Sequence, residues 1–177
     1  MERIEKGNRA IEFIGTDYLG ENIDLNNYKG KKILLSFFRG ASCPFCNLRI
    51  SQLINRYSEF EKQGIRIIIF FAASKEEILE YAGKQKAPFP IIPDPNLEIY
   101  KKYGVEDSSL GMIRAMINPL KMMKVMFSGF FNMKSIKDKP IVPADFLINE
   151  NQIIHRAYYG NDFGDHIAIS EILEWKE

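Results

Sequence analysis

Cysteine and histidine are scarce in this chain: two of each in 177 residues, with a single tryptophan. Two cysteines cannot build the disulfide framework of a small secreted scaffold. A four-ligand structural zinc site would consume every cysteine and histidine present. A surplus of one charge is lacking too. Twenty-four Lys and Arg face 23 Asp and Glu, so no global field argues for nucleic acid or another polyanion as partner. No apolar run reaches the ~18 residues of a membrane-spanning helix, and the charged segment Met1–Lys6 holds no apolar signal core. The expectation is a cytoplasmic, reducing setting, where paired cysteines serve redox chemistry more often than structure. What is present is a globular composition, 46% hydrophobic and 27% charged, at a length suited to one domain over residues 1–177.

Hydrophobic patterning predicts an α/β sandwich. Short strands are expected near Glu12–Thr16 and Ile23–Leu25, around a turn at Tyr18–Asn22. Ile33–Phe38 and Ile65–Phe71 are continuous apolar runs that read as buried strands. Between them, Phe45, Leu48, Leu53, Ile54, Tyr57 and Phe60 recur at helical spacing from Pro44 to Lys62, with Gly64 as the stop. Ser74 and Glu77 form a capping-box pattern, and Asp94 reads as the cap of a helix starting at Pro95. Strands at Ala144–Ile148 and Gln152–Tyr158 are joined by a turn, which makes the sheet mixed, and a last helix spans roughly Ile167–Trp175.

Cys43-Pro44-Phe45-Cys46 stands between a buried strand and a helix. Pro44 suits the first helical position, where its missing N–H costs nothing. That makes Cys43 the N-cap and puts Cys46 in the first turn. The unpaired N–H groups and positive end of the helix favour a thiolate at Cys43. Arg39 lies four residues upstream and adds positive charge, while Cys46 is expected to be the more buried, resolving thiol. Two plainer readings remain: half a zinc site completed by His155 and His166, or two inert buried thiols.

The order strand, Cys-Pro-Phe-Cys, helix, strand resembles the thioredoxin fold. The longer pattern resembles its peroxiredoxin-like branch, the alkyl hydroperoxide reductase and thiol-specific antioxidant (redoxin) family. Tyr28–Phe37, the cysteine segment, Asp94-Pro95-Asn96, Tyr103-Gly104-Val105 and Pro143–Asn149 carry the likeness. It implies a thioredoxin-like three-layer sandwich with a mixed central sheet. It also implies a thiol oxidoreductase that uses a Cys43–Cys46 dithiol/disulfide couple on disulfides or peroxides, without metal or organic cofactor. A thioredoxin- or glutaredoxin-like dithiol would restore it, and a homodimer is allowed. The departures are specific. Typical peroxiredoxins carry Pro-x-x-x-Thr-x-x-Cys and a later arginine. With Cys46 as their peroxidatic cysteine and Cys43 resolving, Arg39 stands in place of the Pro, Cys43 of the Thr and Pro143 of the Arg. Arg39 or Arg49 is left to stabilise charge. Cys43 and Pro143 instead resemble thioredoxin and glutaredoxin, which implies a cis peptide bond at Val142–Pro143 facing the cysteines.

Two segments lie outside that pattern. Tyr158–His166 is a dense polar-aromatic loop in which Gly160 and Gly164 suggest positive φ. There His166 serves as acid or base, or Asp165 caps the last helix; His155, in a strand, reads as structural or solvent-facing. Residues 108–139 read as a helical insertion before the Pro143 strand. Six of the seven methionines fall between Met112 and Met133, and residues 108–137 carry Arg114, Lys121, Lys124, Lys134 and Lys137 with no acid. Ile113, Met116, Ile117 and Leu120 share one helical face, and Asn118-Pro119 starts a second helix. Three roles are open: a packed helical layer, an adaptable cover that receives substrate or partner, or a basic element on anionic lipid. Membrane-surface contact is the least expected of these. If the insertion does the work, the chain is a redox-sensing binding module and not an enzyme.

Overall fold

The computed structural model describes residues 3–105, 119–130, 135 and 138–175. A small antiparallel pair, β1 (Ile14–Thr16) and β2 (Asn22–Asp24), precedes the main sheet. The main sheet contains β3 (Lys32–Phe38), β4 (Ile65–Phe71), β5 (Ile91–Pro93), β6 (Ala144–Ile148) and β7 (Ile154–Tyr159) in the order β5-β4-β3-β6-β7. β3 pairs in parallel with β4, and β4 with β5; β6 runs antiparallel to both β3 and β7. The sheet is therefore mixed, as the closing hairpin pattern required. β3 and β4 are buried along nearly their whole length because helices and loops cover both faces, which explains their continuous apolar runs.

Alternation along β3 assigns its side chains to two cores. Leu34 and Phe38 pack with Cys43, Cys46, Ile50 and Ile69 on one face. Ile33, Leu35 and Phe37 pack with Phe70, Tyr100, Tyr103 and Phe146 on the other. The second core is rich in rings, with Phe37 stacked on Phe70 and edge-on to Tyr100.

The helix read as continuous from Pro44 to Lys62 is two: α1 (Pro44–Asn55) and α2 (Tyr57–Lys62), broken at Arg56, whose φ of −112° and ψ of 11° leave the helical range. The Ser74–Glu77 capping box is present at the start of α3 (Lys75–Glu80). Asp94 caps α4 (Glu98–Lys102) from farther upstream than Pro95 suggested: its carboxylate accepts the main-chain N–H groups of Glu98 and Ile99 at 2.9 and 2.8 Å. α5 (Pro119–Phe127) begins at the proline as expected. The first insertion helix, with Ile113, Arg114, Met116 and Ile117, lies outside the described residues. α6 (Ile169–Leu173) is capped by Ala168, not Asp165. Among the described residues no helix is long and apolar enough to cross a membrane.

Candidate functional site

β3 ends at Phe38 in the middle of the sheet, and the chain then turns through Arg39–Ser42 into α1. Tyr100 holds that end in place. Its hydroxyl donates to the carbonyls of Phe38 and Phe70, the last residues but one or none of β3 and β4. Cys43 is the N-cap of α1, with φ −64° and ψ 122°, and Pro44 occupies the first turn. Both thiols are free and fully buried, at 0% and 1% exposure.

The two sulfurs are electrostatically unequal. The Cys46 thiol donates to Cys43 and lowers its pKa against the opposing effect of burial; the Arg39 charge and the Cys46 main-chain N–H add to the lowering. Burial pushes the Cys46 thiol well above its ordinary value, and the neighbouring Cys43 pushes the same way. Cys43 is thus the more readily ionised of the two thiols, with Cys46 donating to it, the polarity that a helix N-terminus favours.

Arg39 comes to the site as the spacing suggested, but it is not free. It is 3% exposed. Its Nε donates to the Lys139 carbonyl and its Nη2 to those of Ser135 and Asp138, each at 2.8 Å. Its guanidinium lies 4.2 Å over the Phe163 ring. The Ser42 hydroxyl donates to Asp138 at 2.8 Å. At Gly40 a Cβ would fall 2.2 Å from the Asp138 carboxylate. The chain that leads into β6 is therefore fastened across the loop in front of Cys43.

Pro143 requires a correction. No peptide bond among the described residues is cis, so Val142–Pro143 is trans. Pro143 lies one residue before the Ala144–Phe37 pair, at the end of β3 where the cysteine loop leaves. Its carbonyl accepts the Gly160 N–H at 2.9 Å. It immediately precedes β6, where a missing donor costs nothing.

The loop after β7 covers the cysteine segment by close approach and not by unusual backbone. Neither Gly160 nor Gly164 has positive φ. A Cβ on Gly160 would lie 2.3 Å from the Asp165 carbonyl, and one on Gly164 would lie 3.0 Å from the Phe45 ring. Asp165 closes the loop by accepting the Tyr158 hydroxyl and the Asn161 N–H, both at 2.7 Å. His155 stays on β7 against Trp175, with ring centroids 5.1 Å apart.

Beneath this loop is a buried polar cluster that patterning missed. Asp145 is fully buried on β6. Its carboxylate accepts the Ser36 hydroxyl at 2.7 Å, the Ile167 N–H at 2.8 Å and His166 Nδ1 at 3.0 Å. Burial raises its pKa, but His166, Arg49 and Ser36 outweigh that and bring it down to about 2. Arg49, itself buried, donates Nη2 to the Ile167 carbonyl at 2.7 Å. The available signal was an acid inside an otherwise apolar strand, Ala144-Asp145-Phe146-Leu147-Ile148, since a carboxylate is buried only when paired.

On α5, Val125 is buried, while Met123, Met126 and Phe127 are 53%, 63% and 85% exposed. The basic, methionine-rich segment thus presents apolar side chains outward at this helix.

Comparison with known proteins agrees with the geometry. The profile of the AhpC/TSA family matches residues 6–157. The thiol-disulfide oxidoreductase ResA of Halalkalibacterium halodurans is 31% identical over 100 residues, 56% of this chain and 56% of that protein. The chloroplastic peroxiredoxin Q of Sedum lineare is 25% identical over 111 residues, 63% of this chain and 60% of that one. The matches thus span less than two thirds of these relatives' lengths. The crystal structure of peroxidoxin BcpB from Mycobacterium tuberculosis superposes with a TM-score of 0.66 at 14% identity, covering 89% of this chain and 86% of that one.

Proposed function

The chain belongs to the AhpC/TSA family, and on that premise we propose that it is a thiol-disulfide oxidoreductase in which Cys43 attacks and Cys46 resolves. The observation that carries this is the inequality of the two thiols: Cys43 at the helix N-cap beside Arg39 is the readily ionised one, and Cys46 is held protonated by burial. The thiolate is the nucleophile in disulfide exchange. Cys43 S⁻ attacks one sulfur of a substrate disulfide, forms a Cys43–substrate bond and expels the other sulfur as thiolate. Cys46 then loses its proton and attacks Cys43. The Cys43–Cys46 bond forms, the second substrate sulfur leaves, and two electrons have passed to the substrate. A dithiol reductant of thioredoxin or glutaredoxin type reverses the second state to the first. No metal or organic cofactor is needed for these steps.

A disulfide is favoured over a peroxide because Arg39 spends Nε and Nη2 on main-chain carbonyls. A peroxidase needs such donors aimed at the breaking O–O bond. Peroxidatic Cys46 with Cys43 resolving is the second reading. It runs against the high pKa of Cys46, although ResA and peroxiredoxin Q relatives stand on either side of that divide.

Intact mass after exposure to one equivalent of a small disulfide or of hydrogen peroxide separates these readings. Cys46→Ser is expected to accumulate a mixed disulfide and Cys43→Ser to remain unmodified. The reverse pattern, with a sulfenic acid on Cys46, moves the nucleophile to Cys46. Absence of any intramolecular disulfide in wild type overturns both and leaves the redox-silent binding module.

A further inference from the structure

We propose that His166, oriented by Asp145, is the proton acceptor that allows Cys46 to close the disulfide with Cys43. This rests on the reading of Cys43 as nucleophile and Cys46 as resolving thiol. It names a residue and a step that the exchange chemistry requires but the cysteines do not provide.

The need is physical. Cys46 is buried among Phe38, Ile50 and Ile69, and burial disfavours its thiolate. A thiol attacks only after losing its proton, so the second exchange step needs a base within this layer. Among the described residues the ionisable groups there are few. Arg39 and Arg49 are cations. Tyr100 spends its hydroxyl on the carbonyls of Phe38 and Phe70. Asp145 is fully ionised and its two oxygens already accept from Ser36, Ile167 and His166. Asp165 is tied to Tyr158 and Asn161. Asp138, on the other side of the loop, is bonded to Ser42.

His166 differs from all of these. Its side chain is 3% exposed, and Nδ1 faces the Asp145 carboxylate. When Nδ1 donates to that carboxylate, the neutral form of the ring carries its lone pair on Nε2. Nε2 is buried and has no hydrogen-bond partner among the described residues. A buried polar atom without a partner costs about 1–3 kcal/mol, and an Asp-oriented imidazole with an open Nε2 is the arrangement of a general base. The placement fits the task. The imidazole lies against the Phe38 ring, with centroids 4.8 Å apart. Cys46 sulfur accepts the main-chain N–H of Arg39, the next residue. Base and thiol thus border the same end of β3, His166 at the Phe38 ring and Cys46 at the Arg39 main chain, and the transfer as proposed runs through one intervening water. The proton passes from Cys46 to Nε2, the Cys46 sulfur bonds to Cys43, and the departing substrate sulfur recovers a proton from the imidazolium or solvent.

The test follows the two steps separately with 5,5′-dithiobis(2-nitrobenzoate). The first thionitrobenzoate released reports attack by Cys43, and the second reports closure by Cys46. In wild type the closure rate is expected to rise with pH and then level off. His166→Asn keeps a donor toward Asp145 in the place of Nδ1 but removes Nε2. It is expected to leave the first release within about twofold and slow the second about 100-fold at pH 7, the lower end of general-base effects. Closure is then expected to climb in proportion to hydroxide without levelling. Asp138→Asn is expected to leave the closure profile unchanged. Unaltered closure in His166→Asn, or a profile that follows Asp138→Asn instead, overturns the assignment. If His166→Asn does not fold, the wild-type profile decides alone, and a closure rate proportional to hydroxide from pH 6 to 9 overturns it. Failure of the first release strikes instead at Cys43 as nucleophile.

Discussion

The Ser42 hydroxyl donates to the Asp138 carboxylate at 2.8 Å, and this bond ties the loop before Cys43 to the chain entering β6. With both cysteines at 1% exposure or less, reaction with a bulky thiol reagent requires the cover over them to open, and this tie is part of that cover. Ser42→Ala removes one hydrogen bond to a charged group, about 1.5–3 kcal/mol. Alkylation of Cys43 by a bulky maleimide is expected to accelerate about 10-fold, read by intact mass against time. An unchanged rate would mean that opening occurs elsewhere.

Arg39 contributes both charge and anchorage. Arg39→Met keeps much of the apolar stem but removes the charge that lowers Cys43 and leaves the carbonyls of Ser135, Asp138 and Lys139 without this donor. Each buried loss costs about 1–3 kcal/mol. The midpoint of Cys43 alkylation against pH is expected to move upward, and the urea midpoint to fall. A downward move in the alkylation midpoint would refute the role given to the Arg39 charge.

Asp145 makes stability depend on acidity. Its pKa is lowered, to about 2 in the folded chain against ~3.9 when exposed. The contribution is therefore present in full above about pH 4 and lost as pH falls through about 2. A shift of this size corresponds to about 2–3 kcal/mol. Urea midpoints measured from pH 5 down to pH 2 are expected to fall more steeply for wild type than for Asp145→Asn. Parallel slopes would remove Asp145 from the acid dependence.

Tyr100→Phe deletes a hydroxyl that bridges two buried strand-end carbonyls while keeping the ring against Phe37. The expected cost is about 1–3 kcal/mol, seen as a lower urea midpoint. The thionitrobenzoate assay is expected to show faster first release if the loop following Phe38 also loosens. No change in stability would argue that the carbonyls find water.

Local chemistry was legible wherever it acts over a few residues. The apolar runs of β3 and β4, the Ser74–Glu77 box and Pro44 at the start of α1 all declare themselves by spacing. The local part of the inequality of Cys43 and Cys46 does too, because the positive end of a helix belongs to the segment itself, whereas the burial that raises Cys46 comes from the fold. Arg56 was not legible as a break, since the apolar spacing continues through it and only the backbone turns. Asp94 was seen as a cap but assigned to the wrong turn. Gly160 and Gly164 were read as backbone devices, whereas steric room against Asp165 and Phe45 explains them.

The sequence by itself determined most of the elements and the strand-to-helix placement of the cysteine pair. These depend on contacts between near neighbours. Only tertiary structure decided the rest. The Val142–Pro143 bond is trans. Arg39 is fastened by a segment about 100 residues away, and Ser36, Asp145 and His166 meet across 109 and 21 residues of chain. A buried charge must find partners wherever the fold brings them, and one-dimensional spacing carries no record of such distant pairings.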